Sequence, residues 1–159
     1  MTVNRNQLRI ALLALVALVA GCEKDKPQGT LPTVTMQLGD RQFTLEVADN
    51  ERDRKYGLMR RESMPADHGM IFAFPREAPL AFYMRNTKIP LDIIYVSASG
   101  RVVSVKQMQP HDERTVPSDG PAQFAIELNK GMAAACGVKI GDKLTIPPNK
   151  NAPATTQSK

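Results

Sequence analysis

Asp92 stands inside the run Leu91 to Val96, which is otherwise apolar. An ionised carboxylate among such neighbours costs several kcal/mol unless a cation or several hydrogen-bond donors meet it. Candidates lie close by. Arg85, Asn86 and Thr87 form a polar turn seven to five positions upstream, and Arg60 and Arg61 lie further back. A guanidinium, an amide and a hydroxyl at one strand end suit a carboxylate, a phosphate or a sugar. The candidate ligand-binding set is therefore Arg61, Tyr83 as a wall, Arg85, Asn86, Thr87 and Asp92, for a small polar or anionic ligand. The alternative role for Asp92 is a brace that accepts the N–H groups of the preceding turn.

Other chemistry finds less support. His68 and His111 each adjoin an acid, Asp67 and Asp112, but no short His spacing announces a metal site. No serine sits in a nucleophile-elbow context, and Cys136 lies among Ala133, Ala134 and Ala135 without a neighbouring base. No catalytic residue, metal or cofactor is assigned. A non-enzymatic binding or accessory module is the leading reading. A second is a hydrolase or lyase acting on an envelope polymer, with Asp92 as general base and His68 or His111 as acid. A third is a structural or protein-docking lipoprotein, with Asp92 wholly enclosed and an apolar patch exposed elsewhere.

The elements that must position these residues follow from periodicity. Val34, Met36 and Leu38 alternate with polar residues, Gly39-Asp40 turns the chain, and Phe43, Leu45 and Val47 alternate on the way back. That pattern predicts a hairpin with one face buried. Asp49 or Asn50 caps a helix predicted over Glu51 to Arg60. In Gly69 to Phe74, Met70, Phe72 and Phe74 point one way and Ile71 the other. Phe82 leads into the polar turn, Leu91 to Val96 suits a central strand covered on both faces, and Arg101 to Lys106 is its hairpin partner. A loop without hydrophobic rhythm runs from Gln109 to Pro121. A strand over Gln123 to Leu128, a short helix over Lys130 to Cys136 capped by Gly137, and a last strand over Lys143 to Ile146 complete the domain. The expected fold is α+β: a strongly curved, mostly antiparallel sheet or small open β-barrel with two short helices.

The N-terminus reads as an address. Arg5 and Arg9 precede an apolar run, Ile10 to Ala20, that is too short to span a bilayer but suits a signal peptide. Val19-Ala20-Gly21-Cys22 resembles a bacterial lipobox, whose cysteine carries lipid. The expected organisation is a signal peptide over 1–21, a flexible tether over 22–32 from lipidated Cys22, one globular domain over 33–147, and a disordered tail over 148–159. The chain would then be exported and lipid-anchored on the periplasmic face of a bacterial membrane. Glu23 after Cys22 favours the outer membrane by resemblance to known sorting patterns. The formal charge is +5, and losing Arg5 and Arg9 with the signal leaves +3. With no block of like charges and no basic-aromatic interleaving, nucleic acid is not an expected partner. The membrane is, through the lipid; a protein partner is not specified.

Gly57-Leu58-Met59 with Arg61, Gly69-Met70-Ile71-Phe72 with Phe74, Phe82 to Asp92, and Ile93-Ile94 come in a specific order. With Ile126-Glu127-Leu128, Gly131 and Gly137 to Asp142, they resemble the bacterial and archaeal family called domain of unknown function 192, over about Val34 to Ile146. The resemblance implies a small strand-rich domain with two short helices and brings no established activity. Tyr83 stands where that family typically carries a tryptophan, which keeps an aromatic wall.

Overall fold

A computed structural model describes residues 29–148. The expected signal peptide, Cys22 and all but the first residue of the expected tail lie outside the described residues. Period-two segments become strands where expected. β1 (Thr33–Leu38) and β2 (Arg41–Ala48) form an antiparallel hairpin about Gly39-Asp40. The chain then crosses through α1 (Glu51–Tyr56) to β3 (His68–Ala78), which pairs with β2 in parallel. β4 (Ala81–Phe82), β5 (Leu91–Val96), β6 (Val102–Met108), β7 (Val116–Pro117), β8 (Ala122–Asn129) and α2 (Met132–Ala135) follow. The six-stranded sheet runs β1-β2-β3-β8-β5-β6, and β4 and β7 form a separate two-stranded ribbon. Among the described residues, only the β2–β3 pairing is parallel. The fold is α+β with a curved, mostly antiparallel sheet that does not close into a barrel.

Both faces of the sheet are covered. On one face Leu38, Phe43, Leu45, Ile71, Ile94 and Ile126 pack with Ala133 and Cys136 of the α2 region. On the other, Met70, Phe72, Leu91, Ile93 and Tyr95 pack with Leu58, Leu80, Met84 and Ile89. Each such fully buried aliphatic or aromatic side chain contributes about 1.5–3 kcal/mol. Met70 and Phe72 point opposite to Ile71, as their alternation predicts. Every residue of β5 is buried, with β8 and β6 on either side.

Several elements differ from their predicted extents. α1 ends at Tyr56 because Gly57 takes φ 52°, ψ −135°, a conformation that a helix cannot continue through. Asn50 caps its start, accepting the Asp53 N–H at 3.0 Å. The apolar approach to the polar turn is only β4, and it pairs with β7 inside the long loop, not with β5. The strand expected over Lys143 to Ile146 is reduced to a single bridge between Arg101 and Lys143.

Candidate functional site

The residues chosen from sequence do not converge on Asp92. Alternation places the Asp92 side chain opposite Leu91 and Ile93, on the α2 face, where it is 2% exposed. Its Oδ2 accepts the Ala133 N–H at 2.9 Å, within the first turn of α2. α2 starts at Gly131, which has no side chain to cap it, so a carboxylate from a neighbouring strand takes that part. Its Oδ1 has no hydrogen-bond partner among the described residues. No described arginine bonds to it. Asp92 is thus a brace, but for the following helix and not for the preceding turn.

Arg85 and Asn86 are exposed. The turn holds itself together: the Thr87 N–H donates to the Met84 carbonyl at 3.0 Å, and Asn86 adopts φ 56°. Asn tolerates that left-handed conformation better than most residues, which gives it a conformational reason to be there. Its carbonyl accepts the Arg60 N–H, and the Thr87 carbonyl accepts the His111 N–H. The turn therefore ties the segment after α1 to the long loop.

Arg61 lies on the opposite sheet face from Asp92. It grips Glu46 of β2 by donating from both terminal guanidinium nitrogens, Nη1 and Nη2, at 2.5 and 2.8 Å. That bidentate bond is the main cause that raises its pKa above the ordinary arginine value. Strand register places Glu46, Met70 and Glu127 in one row across β2, β3 and β8. The two carboxyls flank Met70, and strand spacing sets them roughly 10 Å apart.

Glu127 is the residue that sequence reasoning passed over. It is 5% exposed. Burial pushes its carboxyl up to about 8, while the Arg61 charge pulls the other way. It lines a cleft of about 400 Å³ between α1, β3 and β4, together with Phe72, Phe82, Tyr83 and Thr87. Glu51, Arg54 and Lys55 of α1 contribute further walls. The ring of Phe82 meets those of Phe72, Phe74 and Tyr95 edge to face, with centroids 4.9, 6.3 and 5.8 Å away. Tyr95 donates its hydroxyl to the Val116 carbonyl, fastening β7 over the same face. Of the six residues chosen from sequence, Tyr83 and Thr87 line this cleft, and Arg61 acts on its Glu127 through space.

Neither histidine bonds to Asp92, whose Oδ2 meets the Ala133 N–H and whose Oδ1 has no partner among the described residues. His68 bonds Asp67 at the start of β3, and His111 takes φ 59° in the long loop. A general base at Asp92 therefore lacks the acid that the hydrolase reading requires. Among the described residues, no three His, Cys, Asp or Glu side chains are grouped to hold a metal ion.

Residues 33–146 match the sequence profile of DUF192, described as Uncharacterized ACR. A solved structure from Sinorhizobium meliloti 1021, described as a candidate transcription regulator, is 30% identical with a TM-score of 0.69. The match covers 75% of this chain and 97% of that one. A protein of unknown function from Novosphingobium aromaticivorans DSM 12444 is 35% identical with a TM-score of 0.68, covering 76% and 90%. No curated protein matches.

Proposed function

Given that the chain belongs to the uncharacterized DUF192 family, we propose that it is a binding module whose ligand enters the cleft between α1, β3 and β4. One observation carries this reading. A buried carboxyl without a hydrogen bond to any described residue lines a cleft large enough for a small molecule, among aromatic rings. The ligand is small, with a polar group for Glu127 and Thr87 and an apolar body for the rings. An anionic head is less suited, because Glu46 already occupies Arg61 and Arg85 faces solvent.

The docking reading is favoured by the enclosure of Asp92. It also needs an apolar patch, and the large hydrophobic side chains exposed among the described residues are Tyr83 and Ile140. The description of the Sinorhizobium relative as a transcription regulator belongs to that protein. Arg61, Lys88, Lys106 and Arg114 each face an acidic partner, which leaves less basic surface for phosphates.

Titration calorimetry of the full-length protein against envelope metabolites and glycan fragments is expected to find a ligand. Ala81 lines the cleft, so binding should be lost when Ala81→Trp fills it and kept in Arg85→Ala. Asp92→Ser should lower stability by about 1–3 kcal/mol, because the Ala133 N–H loses its buried acceptor, yet leave binding unchanged. If no compound binds, or Ala81→Trp binds as well as wild type, the cleft is not the site.

The module's place in the cell comes from its N-terminus: a lipid on Cys22 would hold the domain at the periplasmic face of a membrane, the outer membrane by preference. Support is the basic, apolar and small-residue succession that ends at Cys22. Cys22→Ser is expected to move the protein from the membrane fraction to the soluble fraction of a bacterial host. Retention of the variant in membranes would refute the anchor.

A further inference from the structure

Glu46, Arg61 and Glu127 form a group with unequal partners. Both oxygens of Glu46 take the Arg61 guanidinium, whereas Glu127 feels that charge only through space. No described residue donates a hydrogen bond to the Glu127 carboxyl. With all three ionised, two carboxylates face one guanidinium, and the group is one positive charge short. A carboxylate that is 95% buried cannot stay so without compensation. Either a proton or a cation from outside must supply it.

The walls of the cleft suit the second option. Five of the chain's eight aromatic residues line it: Tyr56, Phe72, Phe74, Phe82 and Tyr83. Aromatic faces attract organic cations and shelter their carbon skeletons. One ring in this wall is already used so, for the Arg54 guanidinium lies 5.1 Å from the Phe74 centroid. We propose that the cleft takes an organic cation, an amine or quaternary ammonium, whose charge pairs with Glu127 and whose skeleton lies on the aromatic wall. The assignment rests on the reading of the cleft as the ligand site and specifies the ligand's chemistry.

The charged groups around Glu127 define the expected pH behaviour. Arg61 from the segment after α1, Glu46 of β2 and the Tyr95 hydroxyl of β5 surround it, and Glu51, Arg54 and Lys55 of α1 line the cleft beside it. Arg61 stays charged, and burial holds Tyr95 neutral beyond the ordinary tyrosine range. Burial pushes the Glu127 carboxyl itself up to about 8. Below that, an entering cation must displace its proton, so affinity should rise about tenfold per pH unit and level off above.

The test titrates the full-length protein with benzyltrimethylammonium, whose charge is fixed, and with benzyl alcohol as the neutral probe. At about pH 8.5 the cation is expected to bind at least ~10-fold more tightly, with that advantage shrinking about tenfold per unit below pH 8. In Glu127→Gln, with folding checked by circular dichroism, the preference and its pH dependence should both disappear. Equal binding of the two probes, abolished together by Ala81→Trp, overturns the cation assignment while the cleft stands. Cation binding that survives Glu127→Gln unchanged overturns it too. Failure of both probes at millimolar concentration does the same, and the wider ligand panel then judges the cleft independently.

Discussion

Stability measured by urea denaturation is expected to fall as pH rises from about 4.5 to about 8, and Glu127→Gln is expected to flatten that fall. The Glu127 carboxyl moves from an ordinary 4.5 to about 8 on folding, because burial penalises its charged form more than Arg61 favours it. A raised carboxyl pKa means that the folded state holds the proton more tightly than the unfolded chain. Its contribution is therefore fully present below the unfolded pKa and is lost as pH rises through the folded one. The slope is at most about 1.4 kcal/mol per pH unit, and the whole window amounts to as much as roughly 5 kcal/mol. Carboxyls shifted the other way act elsewhere. Asp112, held at about 2 by its hydrogen bonds from Arg114, and Asp67, lowered by His68, stabilise above their unfolded pKa and lose that as pH falls. Their effects belong below about pH 4 and leave the Glu127 window clear. Above pH 8 the glutamine variant should be the more stable protein, and near pH 4, below the unfolded pKa of the carboxyl, the two should match. A wild-type curve that is flat across the window, or a variant that keeps the slope, would show Glu127 ionised in the fold, with Arg61 as sufficient counter-ion.

The rule that singles out Asp92 in the sequence applies equally to Glu127. Both are lone acids in strands whose neighbours are buried on both faces. Nothing local separates them. What does is the face each one meets: Asp92 finds the backbone of α2, while Glu127 finds an open cleft. The hairpin of β1 and β2, the opposed faces of Met70 and Ile71, and the burial of Cys136 are legible in the sequence because each depends on local period or local composition. The parallel β2–β3 pairing and the placing of β8 between β3 and β5 are not, since strand order is decided by contacts far apart in sequence. Arg61 shows the middle case. Its charge marks it as a cation in need of a partner, but that partner, Glu46, lies on a strand before α1 and reaches it only once the β2–α1–β3 crossover has formed.

A methyl group at Gly39 is expected to destabilise the domain by about 3 kcal/mol or more, because strain and a backbone clash act together there. Gly39 turns β1 into β2 at φ +56°, in the left-handed region where an L-residue is strained by roughly 1–2 kcal/mol. A Cβ there would also stand 1.7 Å from the Cys136 carbonyl oxygen, which is backbone and cannot swing aside. That same oxygen accepts the Asp40 N–H at 3.0 Å, so relieving the clash breaks the bond that fastens the hairpin to the end of α2. Gly137 supplies the control. It too has a positive φ, +77°, but an added Cβ meets nothing within 4 Å. Gly137→Ala should therefore show the conformational strain alone, about 1 kcal/mol, and the difference between the two urea midpoints isolates the close approach. Equal losses at the two glycines would mean that the hairpin and α2 are not in contact through this carbonyl. The packing of α2 against the sheet, with Asp92 at its start and Gly39 at its end, would then need another explanation.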